Sequence, residues 1–144
     1  MGFPAIGQFP KKVYFQVYSQ QKTNAMDRPN YYEEVFYVTQ QIPRGRVTNY
    51  GAIADYLALG SARMVGWALN KSFSENGVPA HRVVNRKGEL SGRIHFPQPS
   101  MMQELLEQEG VEVQDHKVVH FAELFWNPSD HLPEREPELP LFRK

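Results

Sequence analysis

Between residues 30 and 71 apolar positions recur at helical spacing in three short bursts, each closed by a breaker. In the first, Val35, Phe36 and Val38, with Tyr31 and Tyr32 near the start, give one apolar side to a helix predicted over Tyr31 to Gln41. Asn30 with Glu33 reads as its capping pair, and Pro43 stops it. Arg44-Gly45-Arg46-Val47 is a turn leading to a second cap at Thr48. Tyr50, Ile53, Ala54 and Leu57 follow at i, i+3, i+4 and i+7, a core-facing stripe that Leu59-Gly60 ends. Ser61 caps a third helix, expected from Ala62 to Lys71, with Ala62, Val65 and Leu69 on the packed face and Arg63, Trp67, Asn70 and Lys71 on the other. Two short helices joined by a glycine turn describe a helix-turn-helix; an ordinary helical hairpin is the alternative.

Beyond this point the period changes. Ser74 to Gly77 reads as a loop, Val83-Val84 as a buried strand and Arg86-Lys87-Gly88 as a turn. Ser100 and Gln103 form a capping box for a helix over Met101 to Glu109, and Gly110 is its C-terminal stop. Val111 and Val113, then Val118 and Val119, flank polar residues and predict a small hairpin. After Phe121 to Trp126 the composition turns to proline and acid. Met1 to Pro29 shows no sustained period, and Val13 to Tyr18 is strand-like without a partner. The expected architecture is mainly α with a small β element, a winged helix-turn-helix-like domain over residues 30–126. An extension over 1–29 is expected to be disordered, and 127–144 to be a tail.

Composition narrows the chemistry. A chain of 144 residues holds one domain with a modest core, and 41% hydrophobic content suits a folded globule. Zero cysteines exclude disulfides, thiolate metal sites and a thiol nucleophile. No apolar run reaches membrane-span length, and the N-terminus lacks a signal pattern. Net charge is zero, yet Ile42 to Arg93 holds eight Lys/Arg against three Asp/Glu, while Ser100 to Lys144 holds four against ten. A basic middle and an acidic end fit an electrostatic footprint for a polyanion beside a solvated tail. His116 and His120 would share a face on a helix, but Lys117-Val118-Val119 favours a strand, which would separate them by about 13 Å. No metal site and no cofactor are expected.

The stretch Val78 to Arg86 stands apart, because a proline-entered run sets a histidine and an arginine against two valines. Pro79-Ala80-His81-Arg82-Val83-Val84-Asn85 resembles the active-site segment of the O6-alkylguanine-DNA alkyltransferases, in which a reactive cysteine follows the proline. Ala80 takes that position here, a combination similar to the alkyltransferase-like proteins, which keep the DNA-binding domain without the nucleophile. The resemblance runs from about Tyr32 to Gly110. It implies that His81 and Glu109 are remnants of the relay that activates the thiolate. Alanine has no lone pair, so alkyl transfer through this position is chemically excluded and no catalytic residue is expected.

The resemblance also implies DNA-binding and lesion-binding residues. Tyr50 and Arg63 match those that turn a nucleotide out of the duplex, the tyrosine crowding a phosphate and the arginine filling the vacated stack. Extrusion costs a few kcal/mol, and least for a damaged base. Ser91-Gly92-Arg93 matches the loop that sets an arginine against the alkylated base beside Ala80. A cation over an aromatic ring is worth about 0.5–2 kcal/mol and a buried methyl about 0.8 kcal/mol. Cheaper extrusion of the mispaired base must therefore supply much of any lesion preference. Thr48, Arg46, Lys71 and Arg86, with Arg44 and Lys87, are candidate phosphate contacts.

The function implied is a non-enzymatic, monomeric sensor of O6-alkylguanine in double-stranded DNA. It would flip the base and mark it for nucleotide excision repair proteins, away from membranes, in the cytoplasm (nucleoid-associated in a bacterium). Other readings are a methyltransferase inactivated by replacement of its cysteine with alanine, a helix-turn-helix transcription regulator, and a small interaction domain.

Overall fold

The computed structural model describes residues 31–74 and 77–134. The extension over 1–29 with its strand-like Val13 to Tyr18, the cap Asn30, the loop residues Glu75 and Asn76, and residues 135–144 of the tail lie outside the described residues. The first three helices form where the periodicity places them: α1 over Tyr32–Gln41, α2 over Tyr50–Leu57 and α3 over Ala62–Leu69. They pack on one another through Val35, Val38, Ile53, Leu57 and Val65, all of which are fully buried. The Tyr31 hydroxyl donates to the Met64 carbonyl at 2.8 Å and ties the start of α1 to α3.

Two small sheets complete the mainly α architecture. Strand β1 (Thr48–Asn49) pairs in parallel with β2 (Val83–Val84), Thr48 opposite Val83 and Asn49 opposite Val84. On the other side of this segment, Val47 N–H donates to the Leu124 carbonyl at 3.1 Å, and Trp126 N–H donates back to Val47 at 2.7 Å. Helix α4 (Met101–Gln108) lies against the 3-10 turns Ala80–Arg82 and Ser91–His95. Strands β3 (Val113–Gln114) and β4 (Lys117–Val118) form the expected hairpin. Its two turn residues, Asp115 and His116, both sit at positive φ (52° and 62°), as a tight type I′ connection demands. Among the described residues no helix is long and apolar enough to cross a membrane.

Several boundaries differ from the sequence expectation. Thr48 lies inside β1, and the cap of α2 is Asn49, whose Oδ1 accepts from Ala52 N–H at 2.7 Å. Ser61 is the residue before α3, but its side chain makes no capping bond, α3 ends at Leu69, and Ala62 faces solvent. The capping box at Ser100 does not form. Ser100 is already helical (φ −81°, ψ −13°) rather than extended, and Gln103 bonds Glu107 instead.

The folded chain also continues past Trp126. Helix α5 spans Phe121–Leu124, and α6 spans Pro128–His131 with Asn127 as its cap (Oδ1 to Ser129 N–H, 3.1 Å) and proline at its first position. Helix α6 packs on α2, Leu132 is buried, and the Tyr56 hydroxyl donates to the Pro133 carbonyl at 2.6 Å. Residues 127–133 of the segment expected to be a tail therefore pack on the domain.

Candidate functional site

The Ala80–Arg82 turn begins where Pro79 forces a tight bend and ends where β2 takes up the backbone. The two side chains that follow Ala80 both reach the carboxylate of Glu109 at the end of α4. His81 Nε2 lies 2.7 Å from Oε2, Arg82 Nη2 donates to Oε2 at 2.8 Å, and Arg82 Nε bridges both oxygens at 3.1 Å. Gly45 N–H supplies a further donor to Oε1 at 2.9 Å, and Arg82 Nη1 reaches the Ile42 carbonyl at 2.7 Å. Gly45 adopts φ +85°, and a Cβ there would stand 3.3 Å from the Glu109 carbonyl oxygen, which favours glycine in this turn. Arg44 Nη2 donates to the Gln108 carbonyl at 2.8 Å, placing a cation on the negative end of α4.

Electrostatics follow from this geometry. Burial alone would raise the Glu109 carboxyl, yet the bonds from Arg82, His81 and Gly45 N–H overturn that and hold it at about 2. Burial lowers His81 below its ordinary value, against the attraction of Glu109 and with help from Arg82 and Arg44. At neutral pH the ring is thus neutral beside an ionised carboxylate that can only accept. Nε2 carries the proton and Nδ1 keeps its lone pair. Ala80 is buried and offers only a methyl group, so this base has no thiol beside it to activate.

A second cluster joins α2 to the loop after β2. Tyr50, the first residue of α2, is half-buried and its hydroxyl faces the Ser91–His95 turn. Burial raises the phenol above its ordinary value, and the nearby Ser91 side chain offsets part of that. Gly92 has no room for a side chain, because a Cβ would meet the Tyr50 hydroxyl at 2.8 Å. Arg93 is half-buried, with Nη1 on its own turn at the Leu90 carbonyl (3.1 Å). Residues 50, 91, 92 and 93 are thus brought together, as are 80, 81 and 109, and α4 backs both turns.

The remaining candidates lie apart from these clusters. Arg63, Arg46, Lys71, Arg86 and Lys87 are on the exposed surface, Arg86 and Lys87 at the tip of a turn that Asn85 Oδ1 braces through Lys87 N–H (2.9 Å) and Glu89 N–H (2.8 Å). Thr48 is different: it is completely buried and its hydroxyl bonds no described residue, so this position is not a phosphate contact. Sequence reasoning missed Arg82 and Gly45 as parts of the Glu109 cluster. Their only signals were that Arg82 adjoins His81 and that glycine sits between two arginines.

Comparison with known proteins identifies the relatives of this chain. Residues 30–111 match the family model described as the 6-O-methylguanine DNA methyltransferase, DNA binding domain. Alkyltransferase-like protein 1 of Schizosaccharomyces pombe is 34% identical over 108 residues, 72% of this chain and 100% of that protein. A DNA base-flipping protein of Vibrio parahaemolyticus is 35% identical over 96 residues, 66% of this chain and 94% of that one. The crystal structure of S. pombe Atl1 with damaged DNA containing O6-carboxymethylguanine superposes with a TM-score of 0.61 at 33% identity, covering 68% of this chain and 95% of that one. The chain therefore belongs to the family of the 6-O-methylguanine DNA methyltransferase DNA-binding domain, among its alkyltransferase-like members.

Proposed function

We propose that this protein binds O6-alkylguanine in duplex DNA by turning the base out of the helix, and holds it without removing the alkyl group. The observation that carries this reading is the Ala80 turn: histidine, arginine and glutamate still shape it, and the position at its head bears only a methyl group. In support, Tyr50 and the Ser91–Arg93 turn meet, so a residue that crowds the backbone and one that covers a base act from one place. Arg63, exposed on α3, would fill the stack left by the extruded base. Arg46, Lys71 and Arg86 would contact phosphates, which fixes position without reading sequence. Handover of the marked complex to nucleotide excision repair belongs to this reading through resemblance alone, as does action as a monomer.

The test is binding to two duplexes that differ only in one O6-methylguanine, at a single salt concentration because phosphate contacts make affinity salt-dependent. Preference for the lesion with every methyl group left on the DNA is expected. Equal binding to both duplexes would sink lesion recognition, and methyl loss would sink the non-enzymatic reading. Arg63→Ala should bring the two affinities together if the arginine fills the vacated stack.

A further inference from the structure

Among the described residues three large hydrophobic side chains are exposed: Trp67, Phe73 and Ile94. Phe73 has a partner, meeting Phe96 edge-on at 4.8 Å, and Ile94 belongs to the Ser91–His95 turn. Trp67 is 53% exposed in the middle of α3. It stands four residues, or about 6 Å along the axis, after Arg63, so the two share a face. Around them that face is small: Ala62 is exposed, and Gly66 leaves open space where a side chain would stand. The inward side of the same helix is occupied by Val65, Ala68 and Leu69, all buried. An indole left in water one turn from an arginine, on a helix whose outer backbone is uncovered, suits a partner with a polyanionic rim and apolar walls. A nucleic-acid groove is such a partner, with phosphates outside and deoxyribose C–H surfaces within.

From this we infer that Trp67 is a second DNA contact on α3, its indole packing on the sugar wall of the duplex one turn beyond Arg63. The inference rests on the DNA-binding reading above and deepens it. Trp67 would contribute affinity and register, whereas Arg63 would answer for the flipped base. Because sugars are alike at every base pair, the contact forms on damaged and undamaged duplex equally.

The chain contains two tryptophans, and the other, Trp126, is 4% exposed and stacked on His131, so quenching by acrylamide reports on Trp67. Saturating lesion duplex should shield that emission in the full-length protein, and Trp67→Phe should abolish the shielded component. Trp67→Ala should weaken binding to both duplexes about tenfold, as loss of one buried aromatic contact does, with the ratio between them unchanged. Trp67→Phe should recover most of that loss, and an unchanged Trp126 emission maximum would show that both variants fold. If wild type binds duplex while Trp67 stays open to quencher and Trp67→Ala binds normally, the inference is overturned and the DNA-binding reading stands. If wild type binds no duplex, the reading beneath it fails. Shielding that grows with protein concentration in the absence of DNA would overturn the inference in favour of a second copy of the chain.

Discussion

The Ala80 turn and the outer face of α3 are built on opposite terms. In the turn every charged group has a fixed partner: one carboxylate, 4% exposed, is shared by a histidine, an arginine and a backbone N–H. On α3 an arginine and a tryptophan stand in water. The first arrangement is complete without a ligand and holds a shape. The second leaves its binding groups open to an outside partner. Under the function proposed above the two need not be matched to a chemical step, so a groove-reading face could be combined with a rigid recess. On that reading, ion-pair energy in the turn goes to stability and charge on α3 to affinity.

Breaking the turn tests that division most severely. Glu109→Ala strands the Arg82 guanidinium and the Gly45 N–H, and removing one member of such a buried pair costs about 3–5 kcal/mol, to be read from urea unfolding. A smaller loss would mean that water replaces the carboxylate easily and that the cluster is not a rigid element. Acid should do the same in two stages. His81 is depressed below 6.5, so the unfolded chain takes up its proton first and stability declines as pH falls below that value. Glu109 is ionised in the fold down to about 2 against 4.5 ordinarily, so a second loss follows between those values. Glu109→Gln should flatten the lower stage in a pH series of unfolding midpoints.

The Tyr50–Gly92 contact offers a finer cut. Gly92→Ala forces a methyl group onto the Tyr50 hydroxyl and should cost about 1–3 kcal/mol, like other overpacked sites. In the Tyr50→Phe background the clash is relieved, so the Gly92→Ala cost should shrink; additive costs would mean the two residues are not coupled. Thr48→Val should have the smallest effect. It exchanges a buried hydroxyl that bonds no described residue for a methyl group of similar shape, so the unfolding free energy should hold or rise by less than about 1 kcal/mol. A clear loss would reveal a hydrogen bond at β1.

How far the fold could be read depended on the range of the forces involved. Helices α1 to α4 announce themselves by local spacing and breakers, and the β3–β4 hairpin by paired valines around a polar turn. Strand β1 does not, since two residues carry no alternation, and its partner lies 35 positions downstream at Val83 and Val84. Thr48 and Asn49 are both good caps, and only the pairing of Thr48 into a strand decides for Asn49. Helix α6 was hidden by the acid and proline around it, although Asn127-Pro128 is itself a helix-start signal. At the site, His81 and Glu109 were legible by resemblance. Arg82 was not, because its role depends on a carboxylate 27 residues away.

The bond from Gly45 to Glu109 also bears on how quickly the protein comes apart. It joins positions 64 residues apart, a loop whose closure costs about 4 kcal/mol in chain entropy, so it forms only after nearer contacts have drawn the segments together. Glu109→Ala should therefore leave the refolding rate nearly unchanged and quicken unfolding, placing its φ-value near zero. The Glu109 carboxylate would then act as a latch, lengthening the lifetime of the folded molecule.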